Sequence, residues 1–170
     1  MKRAAVILCM DIGLAALLMP LAIPNRVHLV YNPSDSVPRG WYRIEPADSL
    51  RVDSIVLARL PAQAAALAAQ RDYLPAGIPL LKRIGAVAPQ RVCVDGTSVR
   101  IDDVMVAAVM RADGHDRPLS AWSQCRGLAH GELFLLSSTN PASFDSRYFG
   151  PIRASDVIGS AQPIWTWSTP

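Results

Sequence analysis

The chain has 170 residues, 51% of them hydrophobic, with a formal net charge of +3 and a pI near 9.0. This length suits one domain plus an anchoring segment, or one small and one minor domain. The charge is mild and the arginines are scattered, so the basic stripe that would point to a nucleic-acid partner is missing.

Lys2-Arg3 precedes residues 4–23, a run whose one charged residue is Asp11. About 20 apolar residues suffice to span a bilayer as a helix. Positive charge ahead of such a run keeps the N-terminus in the cytoplasm and sends the remainder across. A retained signal anchor and a cleaved secretory signal both fit. Pro20-Leu21-Ala22-Ile23-Pro24 is a poor cleavage site, which favours the anchor, and Asp11 is awkward for either. The expected organisation is an anchor over residues 1–25 and an exported domain over residues 26–170.

Residues 26–31 alternate and are expected as a short strand. They lead into Asn32-Pro33-Ser34-Asp35-Ser36-Val37-Pro38-Arg39-Gly40-Trp41-Tyr42, a polar turn able to hold a serine hydroxyl in a fixed, exposed position. Strands are expected over residues 40–44 and 54–60, and a helix, opened by Pro61 and rich in alanine, over residues 61–72. Further strands are expected at 78–87 and 90–94. Asp95-Gly96 is a hairpin signal into 98–101. Residues 104–109 are apolar and 111–117 form a polar loop. Strands at 132–137, 152–158 and 161–167 close the chain. Short strands at this spacing suggest an all-β barrel or sandwich-like domain with one short helix.

Three cysteines are present, Cys9, Cys93 and Cys125. Cys9 lies in the apolar run. Cys93 and Cys125 are the pair available for one disulfide in an oxidising compartment. Neither they nor His28, His115 and His130 have metal-site spacing, so no metal is expected.

Of 17 lysines and arginines, only Lys2 and Lys82 are lysines. Lys82 is flanked by Leu80, Leu81, Ile84 and Val87, which implies burial. Burial disfavours the ammonium, and a neutral amine can serve as base to a serine hydroxyl. The alternative is an edge lysine whose stem packs on the sheet while its head reaches water. Farther on, Asp145 and Arg147 stand two apart, and an extended segment would put them on one face with Ser143. The alternative there is a surface loop with one exposed ion pair.

Three stretches together carry a family resemblance: Ser34-Asp35-Ser36-Val37-Pro38-Arg39-Gly40-Trp41-Tyr42, then Leu81-Lys82-Arg83-Ile84, then Ser143-Phe144-Asp145-Ser146-Arg147-Tyr148-Phe149-Gly150. In this order after an N-terminal apolar segment, they resemble the S26 signal peptidases, and among them the TraF-type conjugative transfer peptidases. The pattern Ser-x-Pro-x-Gly-x-Tyr and the single anchor favour the TraF type. Val37 replaces the methionine usual in general signal peptidases, Ala88-Pro89-Gln90 stands where they carry Pro-Gly-Asp, and Ser138-Thr139-Asn140 where they carry Gly-Asp-Asn.

The resemblance implies a signal-peptidase-like β domain behind a transmembrane helix, in the inner membrane with its catalytic part periplasmic. It implies Ser36 as nucleophile and Lys82 as general base, with no cofactor. Ser34 would donate its hydroxyl to the oxyanion, although spacing alone leaves Ser34 or Ser36 open as the attacker. Ser143, Asp145 and Arg147 would support the lysine. The implied substrate is an exported precursor, a pilin precursor in particular, cleaved with or without cyclisation, and the implied partner is a conjugative transfer apparatus. Two other classes compete. One is a non-catalytic periplasmic β-domain binding an extended peptide in a secretion or pilus assembly, which leaves Lys82 unexplained. The other is a self-cleaving repressor-type protease, for whose DNA-binding domain the chain has no room.

Overall fold

The computed structural model describes residues 2–22 and 29–167. Helix α1 (Lys2–Ala22) comes first, and its described side chains, Val6 to Leu18, are all exposed. Among the described residues no helix is long and apolar enough to cross a membrane. The expected boundary between residues 25 and 26 lies outside the described residues, as do residues 26–28 of the first expected strand. That strand is seen as β1 (Leu29–Asn32).

The domain then runs through β2 (Arg39–Glu45), β3 (Ile55–Ala58), α2 (Ala62–Gln70), β4 (Leu80–Val87), β5 (Arg91–Val94), β6 (Ser98–Ile101), β7 (Val104–Ala108) and β8 (Cys125–Gly127). It ends with β9 (Glu132–Leu135), the single turn α3 (Ser146–Phe149), β10 (Ile152–Arg153) and β11 (Val157–Trp167). The strands form two antiparallel sheets. One has seven strands in the order β1-β2-β11-β3-β4-β9-β10, and the other four in the order β7-β6-β5-β8. The mainly β class agrees with the sequence. The larger sheet is open, with β1 and β10 at its edges, rather than a closed barrel.

Strand β4 links the interior. Leu81 packs with Val37, Tyr42, Ile44 and Leu57, Ile84 packs with Val56 and Leu135, and Ala86 packs with Val92, Val99 and Phe134. Burying side chains such as Leu57, Ile84 and Phe134 is worth about 1.5–3 kcal/mol each. The last group sits between the sheets and seats the smaller one on β4 and β9. A disulfide between Cys93 and Cys125 joins β5 to β8, where the two residues are direct cross-strand partners.

Three elements depart from expectation. Residues 152–158 are not one strand: β10 ends at Arg153, whose N–H donates to the Asp156 carboxylate across a 3-10 turn, Ala154–Asp156. The remaining residues join 161–167 in the single long strand β11, because Gly159 lets it lie close to β2, where a Cβ would come within 2.5 Å of Glu45 O. Strand β8, just three residues ending in glycine, was not signalled, and α3 adds a second helical turn to the domain.

Candidate active site

The serine turn spans residues 33–38, between β1 and β2. Asn32, 4% exposed, organises it. Its Nδ2 donates to the carbonyls of Ser34, Val37 and Pro38 at 2.8, 3.0 and 3.1 Å. Its Oδ1 accepts from the Ser34 N–H and hydroxyl at 3.1 and 2.8 Å. Tyr42 adds a hydroxyl bond to Pro38 O at 2.6 Å, and Val37 is sunk in the core. The turn is thus fastened on both sides of Ser36. Gly40 follows at φ +140°, where a Cβ would lie 2.1 Å from Trp165 O, so the start of β2 can take only glycine against β11.

Lys82 enters from β4, opposite Val56 of β3, and is 2% exposed. Both Leu81 and Lys82 are buried, so this part of β4 is covered on both faces. The Lys82 ammonium donates to Ser36 Oγ and to Ser143 Oγ, and these two hydroxyl oxygens are 3.4 Å apart. Burial pulls the Lys82 pKa down to about 8; Asp145 opposes that shift and Arg147 adds to it. The edge-lysine alternative therefore does not describe this residue.

Ser143, 3% exposed, is held by the segment that leads into α3. Asp145 caps α3 through the Arg147 N–H, and the side chains of Asp145 and Arg147 pair at 2.7 Å, both at 0% exposure. The expected extended segment is thus replaced by a cap and a helical turn, and the exposed surface pair by a buried one. Arg147 also donates to the carbonyls of Ser137 (2.6 Å), Ala108 (2.7 Å) and Pro141 (3.3 Å), and Asp145 accepts from the Ser137 N–H at 3.0 Å. Ser146 Oγ accepts from the Leu135 N–H at 2.9 Å. These bonds tie the Ser143 segment to β9 and to the end of β7.

The structure therefore brings Ser36, Lys82 and Ser143 into one hydrogen-bonded group with Asp145 and Arg147 behind it. Ser34 lies on the same turn, but its hydroxyl is spent on Asn32 Oδ1. An apolar cleft of about 580 Å³ opens over the group, lined by Ser36, Lys82 and Ser143 together with Tyr31, Leu81 and Phe144. Tyr73, its ring 5.3 Å from that of Phe144, closes one side. In the sequence, Asn32 and Tyr42 stand in the serine stretch without a role for either, and Tyr73 is not singled out. For Asn32 there was a signal: an Asn beside Pro33 at the mouth of a turn favours side-chain-to-backbone bonds. Among the described residues no three His, Cys, Asp or Glu side chains could hold a metal ion.

A buried amine of lowered pKa touching a serine hydroxyl can take its proton and so make the oxygen nucleophilic. Comparison with known proteins gives the family. The chain is 36% identical over 147 residues to a probable conjugal transfer protein TraF of Sinorhizobium fredii, covering 81% of this chain and 77% of the relative. It is 31% identical over 176 residues to a conjugal transfer protein TraF of Agrobacterium tumefaciens, covering 98% and 97%. Among solved structures it is similar to a signal peptidase I of Enterococcus faecalis, at 19% identity and a TM-score of 0.40, covering 68% of this chain and 98% of that one. The model of the signal peptidase family, peptidase S26, matches residues 1–167. The chain belongs to the S26 signal peptidases, and within them to the TraF type.

Proposed function

We propose that this chain is a membrane-anchored serine endopeptidase that matures an exported precursor for conjugative transfer, with Ser36 as nucleophile and Lys82 as general base. The observation that carries the reading is the contact between the Lys82 amine and Ser36 Oγ, made by a lysine that is 2% exposed and whose pKa is drawn down to about 8. In the reaction, neutral Lys82 takes the Ser36 proton and Ser36 Oγ attacks the scissile carbonyl. The oxyanion is met by the Ser36 N–H and by the Ser34 hydroxyl once that hydroxyl leaves Asn32. The Lys82 ammonium returns its proton to the leaving amine. Water, deprotonated by Lys82, then attacks the acyl-enzyme and frees Ser36. If a second amine of the substrate attacks instead, the product is a cyclic peptide. Ser143 and the Asp145–Arg147 pair hold the lysine in place.

The names of the relatives support a conjugative role, and a pilin precursor is the substrate in this reading. The family resemblance implies small residues before the cut bond, and in this reading the apolar cleft beside Lys82 takes them. Anchoring in this reading rests on the sequence, the apolar run over residues 4–23 behind Lys2-Arg3. The Cys93–Cys125 disulfide supports a periplasmic location for the domain. The test is co-expression with pilin precursors and mass spectrometry of the products. Native enzyme should shorten one of them and Ser36→Ala should leave it whole; equal processing by both would overturn the reading.

A further inference from the structure

A peptidase that opens a chain at Ser36 must hold both flanks of the bond it cuts, and Ser36 stands where two clefts meet. The apolar cleft lies on the Lys82 side. The second, of about 470 Å³, shares Ser36 and Asn140 with it and mixes apolar Val37 and Pro38 with Arg39, Arg83, Ser138 and Thr139, Asp35 being its one acid.

The charges in this second cleft do not cancel. Asp35 and Arg39 are matched by two bonds, at 2.6 and 2.7 Å. Among the described residues, Arg83 has no such two-bond match to a carboxylate. Among the described residues only its Nη1 is hydrogen-bonded, to the backbone carbonyl of Asp53 at 3.0 Å. Its nearest carboxylate, on Asp53, is 3.8 Å away with that side chain 79% exposed, which is a loose and well-solvated pair. Among the described residues, Nε and Nη2 of a planar fork suited to carboxylates thus have no hydrogen-bond acceptor. Arg83 itself is 37% exposed, so part of its charge is shielded from water. It follows Lys82 on β4 and is paired with Ile55, so the strand that seats the amine also fixes this guanidinium.

We propose that this second cleft receives the leaving flank of the substrate and that Arg83 selects a carboxylate there, either an acidic side chain or a C-terminal carboxylate. This rests on the peptidase reading above, in which the apolar cleft takes the acyl flank. Arg83 is then a specificity-determining residue with no part in the proton transfers.

The test uses the full-length chain and libraries of short synthetic peptides, with alanine on the acyl flank and every residue varied after the cut. The libraries are made once as C-terminal acids and once as C-terminal amides, and products are read by mass spectrometry. Peptides with a carboxylate on the leaving flank are expected to show about tenfold higher kcat/KM than neutral ones, a ratio that falls to about one in Arg83→Gln. In Arg83→Glu the preference should turn towards lysine-bearing peptides, which also shows that the variant is folded. Enrichment of Asp and Glu in both libraries assigns the side chain, and enrichment in the acid library alone assigns the terminus. Cleavage without any carboxylate preference, or a preference that survives Arg83→Gln, overturns the role of Arg83 and leaves the peptidase reading standing. No cleavage of any peptide by the native chain counts against both.

Discussion

Asp145 and Arg147, two residues apart, form an ion pair with both side chains at 0% exposure, the Arg147 Nε 2.7 Å from Asp145 Oδ1. Removing one partner of such a pair leaves the other charged and buried, which costs about 3–5 kcal/mol. Arg147→Ala would also strand the carbonyls of Ser137 and Ala108. Denaturant unfolding of Arg147→Ala and of Asp145→Ala should therefore show losses of about 3–5 kcal/mol each. A loss under about 1 kcal/mol would mean that the pair behaves as a surface contact.

The pH dependence follows from Lys82. With its pKa near 8, about one-tenth of the amine is neutral at pH 7. Peptide cleavage should rise as pH passes through about 8 and level off above it. Lys82→Arg should be inactive across the range, because a guanidinium keeps its proton. A flat profile, or an active arginine variant, would remove Lys82 as the base. Stability has its own sign. The folded pKa lies below the ordinary 10.5, so between about 8 and 10.5 the unfolded chain binds more protons at this site. Burial of Lys82 therefore weakens the fold below about pH 8, and this penalty is relieved as pH rises towards 10.5.

Much of this site was legible in the sequence, because chemistry leaves local marks. A lone internal lysine among Leu80, Leu81 and Ile84 announces burial, and the order of the three stretches announces the family. The geometry behind Ser143 was less legible. Spacing puts Asp145 and Arg147 on one face of an extended chain, but a cap on α3 wins, since the Asp145 carboxylate satisfies an N–H that the helix leaves open. Strands were expected at 152–158 and 161–167 with a gap between them, yet β11 runs from Val157 to Trp167 through Gly159 and Pro163, with its register shifting between Pro163 and Trp165. The part played by Asn32 depends on carbonyls as far away as Pro38, which come within reach only after the turn has closed.

The disulfide yields a chemical prediction. Cys93 and Cys125 should resist thiol labelling until a reductant is added, whereas immediate labelling of both in the folded chain would contradict the bond. The bridge spans a sequence separation of 32, so the chain-entropy account assigns it about 3–4 kcal/mol. Replacing both cysteines by alanine should lower the unfolding free energy by about that amount. The loss should centre on β8, whose pairing with β5 covers just Cys125–Gly127, and hydrogen exchange there should accelerate more than in β4.

Asn32 offers the sharpest separation of structure from chemistry. Its side chain makes five hydrogen bonds to the turn that carries Ser36, and among the described residues none of its hydrogen bonds goes to Ser36 Oγ or Lys82. Asn32→Ala leaves the Val37 carbonyl without its buried donor, at a cost of about 1–3 kcal/mol. It also frees the Ser34 hydroxyl and loosens the position of Ser36. If Asn32 acts by placing the nucleophile, kcat should fall by about 10²-fold, the scale of a misplaced reacting group, while KM changes little. The pH midpoint should stay near 8, because Lys82 is buried by other residues. Asn32→Asp is the informative partner. It keeps the acceptor for Ser34 but loses all three bonds to carbonyls, so it should be no better than alanine. An aspartate variant with native kcat would show that the carbonyl clamp does not position Ser36.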